Sequence, residues 1–356
     1  MLNEIAARYG LHPEIGAIHL FGTGLINNTW LVRDQGRTFI LQKINTSVFK
    51  DPYAIAANLK ALDDYLKQKA PDYLFVKPVT TIDQQEMVQQ SGGHFRLFAF
   101  VAGSRTYDTI QSPSLAFEAA RQFGLFTRLL CEFDSSLLKD TIPDFHNLPL
   151  RYEQFNQSLS NGDPSRIAKS ARSIEKLQTY KNIAEEFQVL TNNGGLKKRV
   201  THHDTKISNV LFNDADQGLC VIDLDTVMSG YFISDVGDMI RTYLSPVSEE
   251  EKDFTKIEIR DDYFEAILRG YLGEMKDELT GVEKQLFVYA GKYMIYMQAL
   301  RFLTDHLNND RYYGSKYPGH NLLRANNQIE LLNKLIEKEK PLLEKVNQFL
   351  NTGSLA

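Results

Sequence analysis

From His19 to Phe100 the apolar positions come in short β-branched or aromatic runs broken by turn residues: IHLFG, TWLVRD, TFILQK, FVKPVT, EMVQQ and HFRLFAFV. This pattern predicts a meandering antiparallel sheet. One helix interrupts it after Asp51-Pro52, an N-cap with proline at the first helical position, and Ile55, Leu59, Leu62 and Leu66 then recur at helical spacing. That helix is expected to pack on one sheet face. Beyond Ala102-Gly103-Ser104 the spacing becomes helical: one helix opens at Ser112-Pro113, and others fall near residues 170 to 190, 260 to 275, 282 to 308 and 326 to 350. Within this part lies a single short hairpin, NVLFN and LCVID joined by the turn DADQG. The prediction is an α+β chain of two lobes, a sheet lobe over residues 1–101 and a larger helical lobe over residues 102–356.

Composition narrows the class. The chain has 356 residues, 43% hydrophobic and 24% charged, enough for more than one core. A net charge of -5 and a pI near 5.9 argue against nucleic acid or anionic membrane as partner, since both demand clustered Lys and Arg. Cys131 and Cys220 stand far apart with no metal-binding spacing and read as reduced core residues. MLNEIAARYG has no basic stretch followed by an apolar one, and no segment approaches the roughly 20 apolar residues of a membrane span, so a cytoplasmic location is expected. Oligomeric state stays open.

The hairpin concentrates the chemistry. THHDTKISNVLFNDADQGLCVIDLDT, residues 201 to 226, contains H-x-D-x-K-x-x-N as His202, Asp204, Lys206 and Asn209, followed by Asp223 at the end of the second strand. Phosphoryl transfer needs a carboxylate to orient and accept the proton of an attacking hydroxyl, a cation to offset the moving charge, and oxygen ligands for Mg2+. Asp204 is read as the base, Lys206 as the cation, and Asn209 and Asp223 as metal ligands that the hairpin folds together. Singly, each residue would more commonly be a turn, cap or core side chain; their order and spacing favour the phosphotransferase reading. His202 is assigned to bracing the loop. DADQG lacks the remaining ligands of a calcium loop.

LFGTGLINNTWLV places Gly22 and Gly24 between two strands, where glycine lets backbone N–H groups approach ATP phosphates. Asn27 suits a left-handed conformation. No G-K-[ST] follows, which excludes a Walker loop. In TFILQKIN, Gln42 and Lys43 face opposite sides of a strand, and the apolar phase leaves open which looks into the cleft.

These segments together resemble the aminoglycoside phosphotransferase and choline kinase group, within the protein-kinase-like fold. FGTGLINNTWLV, FILQKINTSVF, VTHHDTKISNVLF, VIDLDTVMSG, DVGDMIR, LRFLTDHL and KYPGHNLLR are similar, more closely, to the branch that phosphorylates the anomeric hydroxyl of N-acetylglucosamine or N-acetylgalactosamine. The resemblance runs from Phe21 to Leu331. It implies Gly22 to Asn28, Asn28 included, as the cover over the nucleotide, Gln42 in place of the superfamily's strand lysine, and Asn58 in place of the helix glutamate. A neutral Gln42 and Asn58 pair is the resulting expectation. It also implies Arg301 and Tyr312 as sugar contacts and Asp235 as a buried brace of the catalytic loop. The rival readings are a kinase of choline, homoserine or another sugar, and a non-catalytic nucleotide-binding module.

Overall fold

In the computed structural model, which describes residues 1–22 and 26–352, a short helix α1 (Leu2–Ala7) precedes a sheet of six strands: β1 (Ile18–Leu20), β2 (Asn28–Asp34), β3 (Arg37–Ile44), β4 (Pro78–Val79), β5 (Val88–Gln90) and β6 (Gly93–Ala99). All pairings are antiparallel, in the order β1-β2-β3-β6-β4, with β5 on β6. The meander is therefore broken, because β6 inserts between β3 and β4. The central strands are the β-branched and aromatic ones, whose alternate residues Val32, Phe39, Leu41, Phe95 and Leu97 bury against Ile5 and Ala6 of α1.

The opposite face receives α2 (Pro52–Lys69), which starts as expected: Asp51 caps the backbone N–H groups of Tyr53 and Ala54. Its buried stripe Ile55, Leu59, Leu62 and Leu66 belongs to the same core as the helices of the second lobe. Those are α3 (Pro113–Leu129), α4 (Leu148–Asn161), α5 (Pro164–Lys169), α6 (Ala171–Thr179), α7 (Asn182–Asn192), α8 (Phe232–Tyr243), α9 (Asp261–Met275), α10 (Gly281–Gln285), α11 (Phe287–Leu307), α12 (His320–Glu337) and α13 (Glu339–Thr352). α3 and α9 approach closely at Gly124, where a Cβ would lie 3.0 Å from the Tyr271 carbonyl oxygen. The two long spans expected near 282 to 308 and 326 to 350 are each two helices, divided at Leu286 and Lys338.

Two further strand pairs frame the segment that carries Asp204, Lys206 and Asn209. β7 (Arg199–Thr201) pairs with β10 (Met228–Gly230), and β8 (Val210–Phe212) pairs with β9 (Gly218–Val221) as the expected hairpin. Among the described residues, the second lobe thus contains two strand pairs, not one.

Candidate active site

The loop between β7 and β8 carries Asp204, Lys206 and Asn209, and its shape is imposed from α8. Asp235 accepts the backbone N–H of His202 at 3.0 Å and of His203 at 2.7 Å, while Asp238 accepts that of Thr205 at 3.0 Å. Tyr243 donates its hydroxyl to the Thr205 carbonyl at 2.6 Å. The bracing foreseen for Asp235 is visible in these bonds. They hold His203 at φ 66, a left-handed conformation that a non-glycine residue keeps only where its surroundings insist. His202 links the loop to the hairpin: its Nε2 lies 3.0 Å from the Ile222 carbonyl, and the Ile222 N–H donates to the Asn209 carbonyl at 2.8 Å. Burial keeps His202 below its ordinary value and pushes His203 down to about 4, so both rings are neutral at neutral pH.

Asp204 is enclosed and contacted on both oxygens. Lys206 Nζ lies 2.8 Å from Oδ1, and Asn209 donates its amide to Oδ2 at 3.0 Å and to the Asp204 carbonyl at 2.8 Å. Burial pushes this carboxyl up, but the Lys206 ammonium, helped by Asn209, outweighs it and holds Asp204 below its ordinary value. The same pairing raises Lys206. Because its nitrogen points at Asp204, Asn209 leaves Oδ1 as its free ligand atom.

Asp223 sits at φ 58 and ψ 56, again left-handed, on the turn after β9. Its carboxyl opens to solvent but is walled in by the cleft; that enclosure, with Asp225 and Asp204 nearby, pushes it up to about 7. One amide oxygen and one crowded carboxylate suit a hard divalent cation that takes its other ligands from phosphate and water. A cation there would relieve the crowding that raises Asp223.

Facing this loop, the sheet lobe presents Gln42 and not Lys43. Lys43 lies on the outer face, 5.9 Å from the Phe95 ring centroid. The expected Gln42–Asn58 pair does not form. Gln42 accepts from Arg96 Nε and Nη2 at 3.2 and 2.9 Å, since the two residues are direct cross-strand neighbours on β3 and β6. Asn58 instead bridges Lys139 and the Val227 carbonyl. Arg96 continues to Asp225, Nη1 to Oδ1 at 2.6 Å, and the other Asp225 oxygen accepts from Asn27 at 2.8 Å. Asn27 does not take the expected left-handed conformation; its side chain is a bridge, its Oδ1 also accepting the Asn45 N–H at 3.0 Å. Gly22 is left-handed at φ 79, Asn28 is exposed at the start of β2, and Gly24 lies outside the described residues.

Arg301 and Tyr312 come together in the second lobe. The Arg301 guanidinium stands 5.4, 5.7 and 5.5 Å from the ring centroids of Phe145, Tyr312 and Tyr313. Asp305 fixes the loop behind them by accepting the Tyr312 and Tyr313 N–H groups at 2.7 and 2.9 Å. A groove of about 610 Å³ opens beside Arg301, Tyr312 and Arg151, without Asp204 in its wall. The link to the catalytic loop runs through rings: Phe145 stacks on His146 at 4.4 Å, and His146 stands 5.2 Å from His203. Sequence reasoning missed Arg96, Asp225, Phe145 and His146. The lone charge inside HFRLFAFV was the available signal for Arg96; the others gave none.

The model of the phosphotransferase enzyme family matches residues 17–280. Among solved structures, an aminoglycoside phosphotransferase from Alicyclobacillus acidocaldarius aligns with a TM-score of 0.61 at 14% identity, covering 98% of this chain and 96% of that one. A spectinomycin phosphotransferase in complex with ADP and spectinomycin aligns with a TM-score of 0.62 at 13% identity and 98% of each chain. An ethanolamine kinase of Plasmodium vivax aligns with a TM-score of 0.58 at 13% identity, over 92% and 86%. With its sheet lobe, its helical lobe and this match, the chain belongs to the phosphotransferase enzyme family.

Proposed function

We propose that this chain is an ATP- and Mg2+-dependent kinase that phosphorylates the anomeric hydroxyl of an N-acetylhexosamine by direct in-line transfer. Asp204 orients the acceptor hydroxyl and takes its proton. An anomeric hydroxyl is more acidic than an ordinary alcohol, so a carboxylate of low basicity suffices and its main contribution is alignment. Lys206 leaves Asp204 as the phosphates arrive and offsets charge on the phosphoryl group. Asn209 and Asp223 hold the magnesium, which when bound neutralises phosphate oxygens. Gly22, Gly24, Asn27 and Asn28 cover the nucleotide. Arg301 and Tyr312 meet the sugar, one with directional donors and one with an apolar ring.

The observation that carries the acceptor class is the charge around Arg301. The three reported relatives are named for amine-bearing acceptors, and a cationic acceptor wants free carboxylates or an open aromatic cage. Here the rings of Phe145, Tyr312 and Tyr313 already surround a guanidinium, Arg151 lines the same groove, and Asp305 is consumed by backbone N–H groups. That arrangement repels an ammonium and suits a neutral polyol. ADP release should therefore be measured with N-acetylglucosamine, N-acetylgalactosamine, galactose, choline, homoserine and ethanolamine. The acetylated hexosamines should turn over fastest. Faster turnover of choline or ethanolamine would contradict the acceptor assignment, and no release with any acceptor would favour a non-catalytic module.

A further inference from the structure

The catalytic cleft has a buried ion pair where the sequence suggested a neutral one. Arg96 and Asp225 are 3% and 2% exposed, come from β6 and from the turn just after Asp223, and meet at 2.6 Å. We propose that Arg96 is the positioning residue for nucleotide binding: through Asp225 it locks the sheet lobe, Asn27 at the foot of β2 and the turn that carries Asp223 into one arrangement. This rests on the reading of the chain as a nucleotide-dependent kinase.

Three sets of bonds meet at this pair. Toward the sheet, Arg96 gives Nε and Nη2 to Gln42 Oε1, and Gln42 passes its own N–H to Thr29 Oγ1 at 3.3 Å. Toward the phosphate cover, Asp225 accepts from Asn27, whose oxygen accepts from Asn45. Toward the catalytic loop, Thr226 donates its hydroxyl to the His202 carbonyl at 2.7 Å, two residues before Asp204. Drawing Arg96 away from Asp225 would part a buried guanidinium from the carboxylate it touches, so the pair restricts the lobes more strongly than surface contacts could.

The same geometry explains the residue at position 42. A lysine there would set a second cation against the Arg96 guanidinium, whereas the glutamine carbonyl accepts from Nε and Nη2 and leaves Nη1 for the ion pair with Asp225. Gln42 is thus a part of the arginine's setting and not a vacancy left by a lost lysine.

The test is calorimetric titration of a non-hydrolysable ATP analogue with magnesium, which needs no acceptor, on proteins shown to be folded by circular dichroism and thermal melting. Arg96→Met should weaken binding roughly thirtyfold and Gln42→Lys roughly tenfold. The double variant should return to within about fivefold of wild type, because the lysine then replaces the missing cation without opposing another. A purely structural role would lower the melting temperature without that rescue. Folded Arg96→Met with wild-type affinity overturns the inference. If that variant does not fold, Gln42→Lys decides: binding as tight as wild type, or tighter, overturns it. A wild-type protein that binds no nucleotide overturns the kinase reading and this inference with it.

Discussion

Both oxygens of Asp204 have a partner within the chain: Lys206 meets one and Asn209 the other. Each oxygen keeps a second lone pair for a substrate hydroxyl, and the partner better able to move aside is Lys206, whose side chain is half exposed, whereas Asn209 is buried. Asp204→Asn keeps the shape but removes proton acceptance. It should lower kcat about a thousandfold or more while analogue affinity stays within roughly threefold. Retained kcat within about tenfold would contradict the base assignment. Arg301→Met should raise the acceptor KM roughly tenfold and leave the KM for ATP unchanged, since the lost donors act on the acceptor alone. An unchanged acceptor KM in initial-rate kinetics would remove Arg301 from the site. That Asp204, Lys206, Asn209 and Asp223 come together was legible, because their spacing and the hairpin constrain one another. Arg96 was not, since a lone charge in an apolar strand names neither its face nor its partner, and the partner lies more than a hundred residues away.

At the scale of elements, the hairpin and α2 were legible because each carries its own punctuation, a turn in one and an Asp-Pro cap in the other. α8 was missed although Phe232, Ile233, Val236, Met239, Ile240 and Tyr243 recur at helical spacing; its polar face is buried too, because Asp235 and Asp238 there bond the loop that carries Asp204. β7 and β10 are three residues each, shorter than any alternation that can be counted. β7 is nonetheless anchored with care. Arg199 forks onto Glu283 at 2.7 and 3.2 Å, and Glu283 also accepts the N–H groups of Lys197 and Thr280. Burial pushes Glu283 up, but these partners win and hold it below its ordinary value. A folded value below the unfolded one means that the stabilisation is complete above the ordinary 4.5 and fades as pH falls through the lowered value. Glu283→Gln, which strands a buried guanidinium, should cost about 3 kcal/mol in urea unfolding at pH 7. The difference from wild type should narrow only below about pH 4.5. A loss under about 0.5 kcal/mol at pH 7 would contradict this account.

For the molecule as a whole, one core crosses from lobe to lobe, beside the separate cluster between the sheet and α1. α2 belongs to the sheet lobe by sequence, yet its apolar stripe packs into the cluster that includes Phe123, Phe126 and Leu224. Asn58 adds a polar strut by satisfying the Lys139 N–H and carbonyl together with the Val227 carbonyl. Asn58→Ala leaves those groups unpaired and should destabilise the chain by about 2 kcal/mol in urea unfolding, with nucleotide affinity falling because Val227 ends the turn that carries Asp225. A neutral effect on both would show that the strut is dispensable. The bilobal plan was legible in the change from strand to helix texture near residue 102. How tightly the lobes are joined was not, because contacts between distant segments leave no local period. The proposed presentation of a neutral sugar's hydroxyl to Asp204 by the second lobe is open to one measurement: phosphorus NMR of the product after the chain is incubated with ATP, magnesium and N-acetylglucosamine. A phosphate coupled to the anomeric proton, on a product with no reducing end, is the expected result; a phosphate on any other carbon, or none, would overturn the proposal.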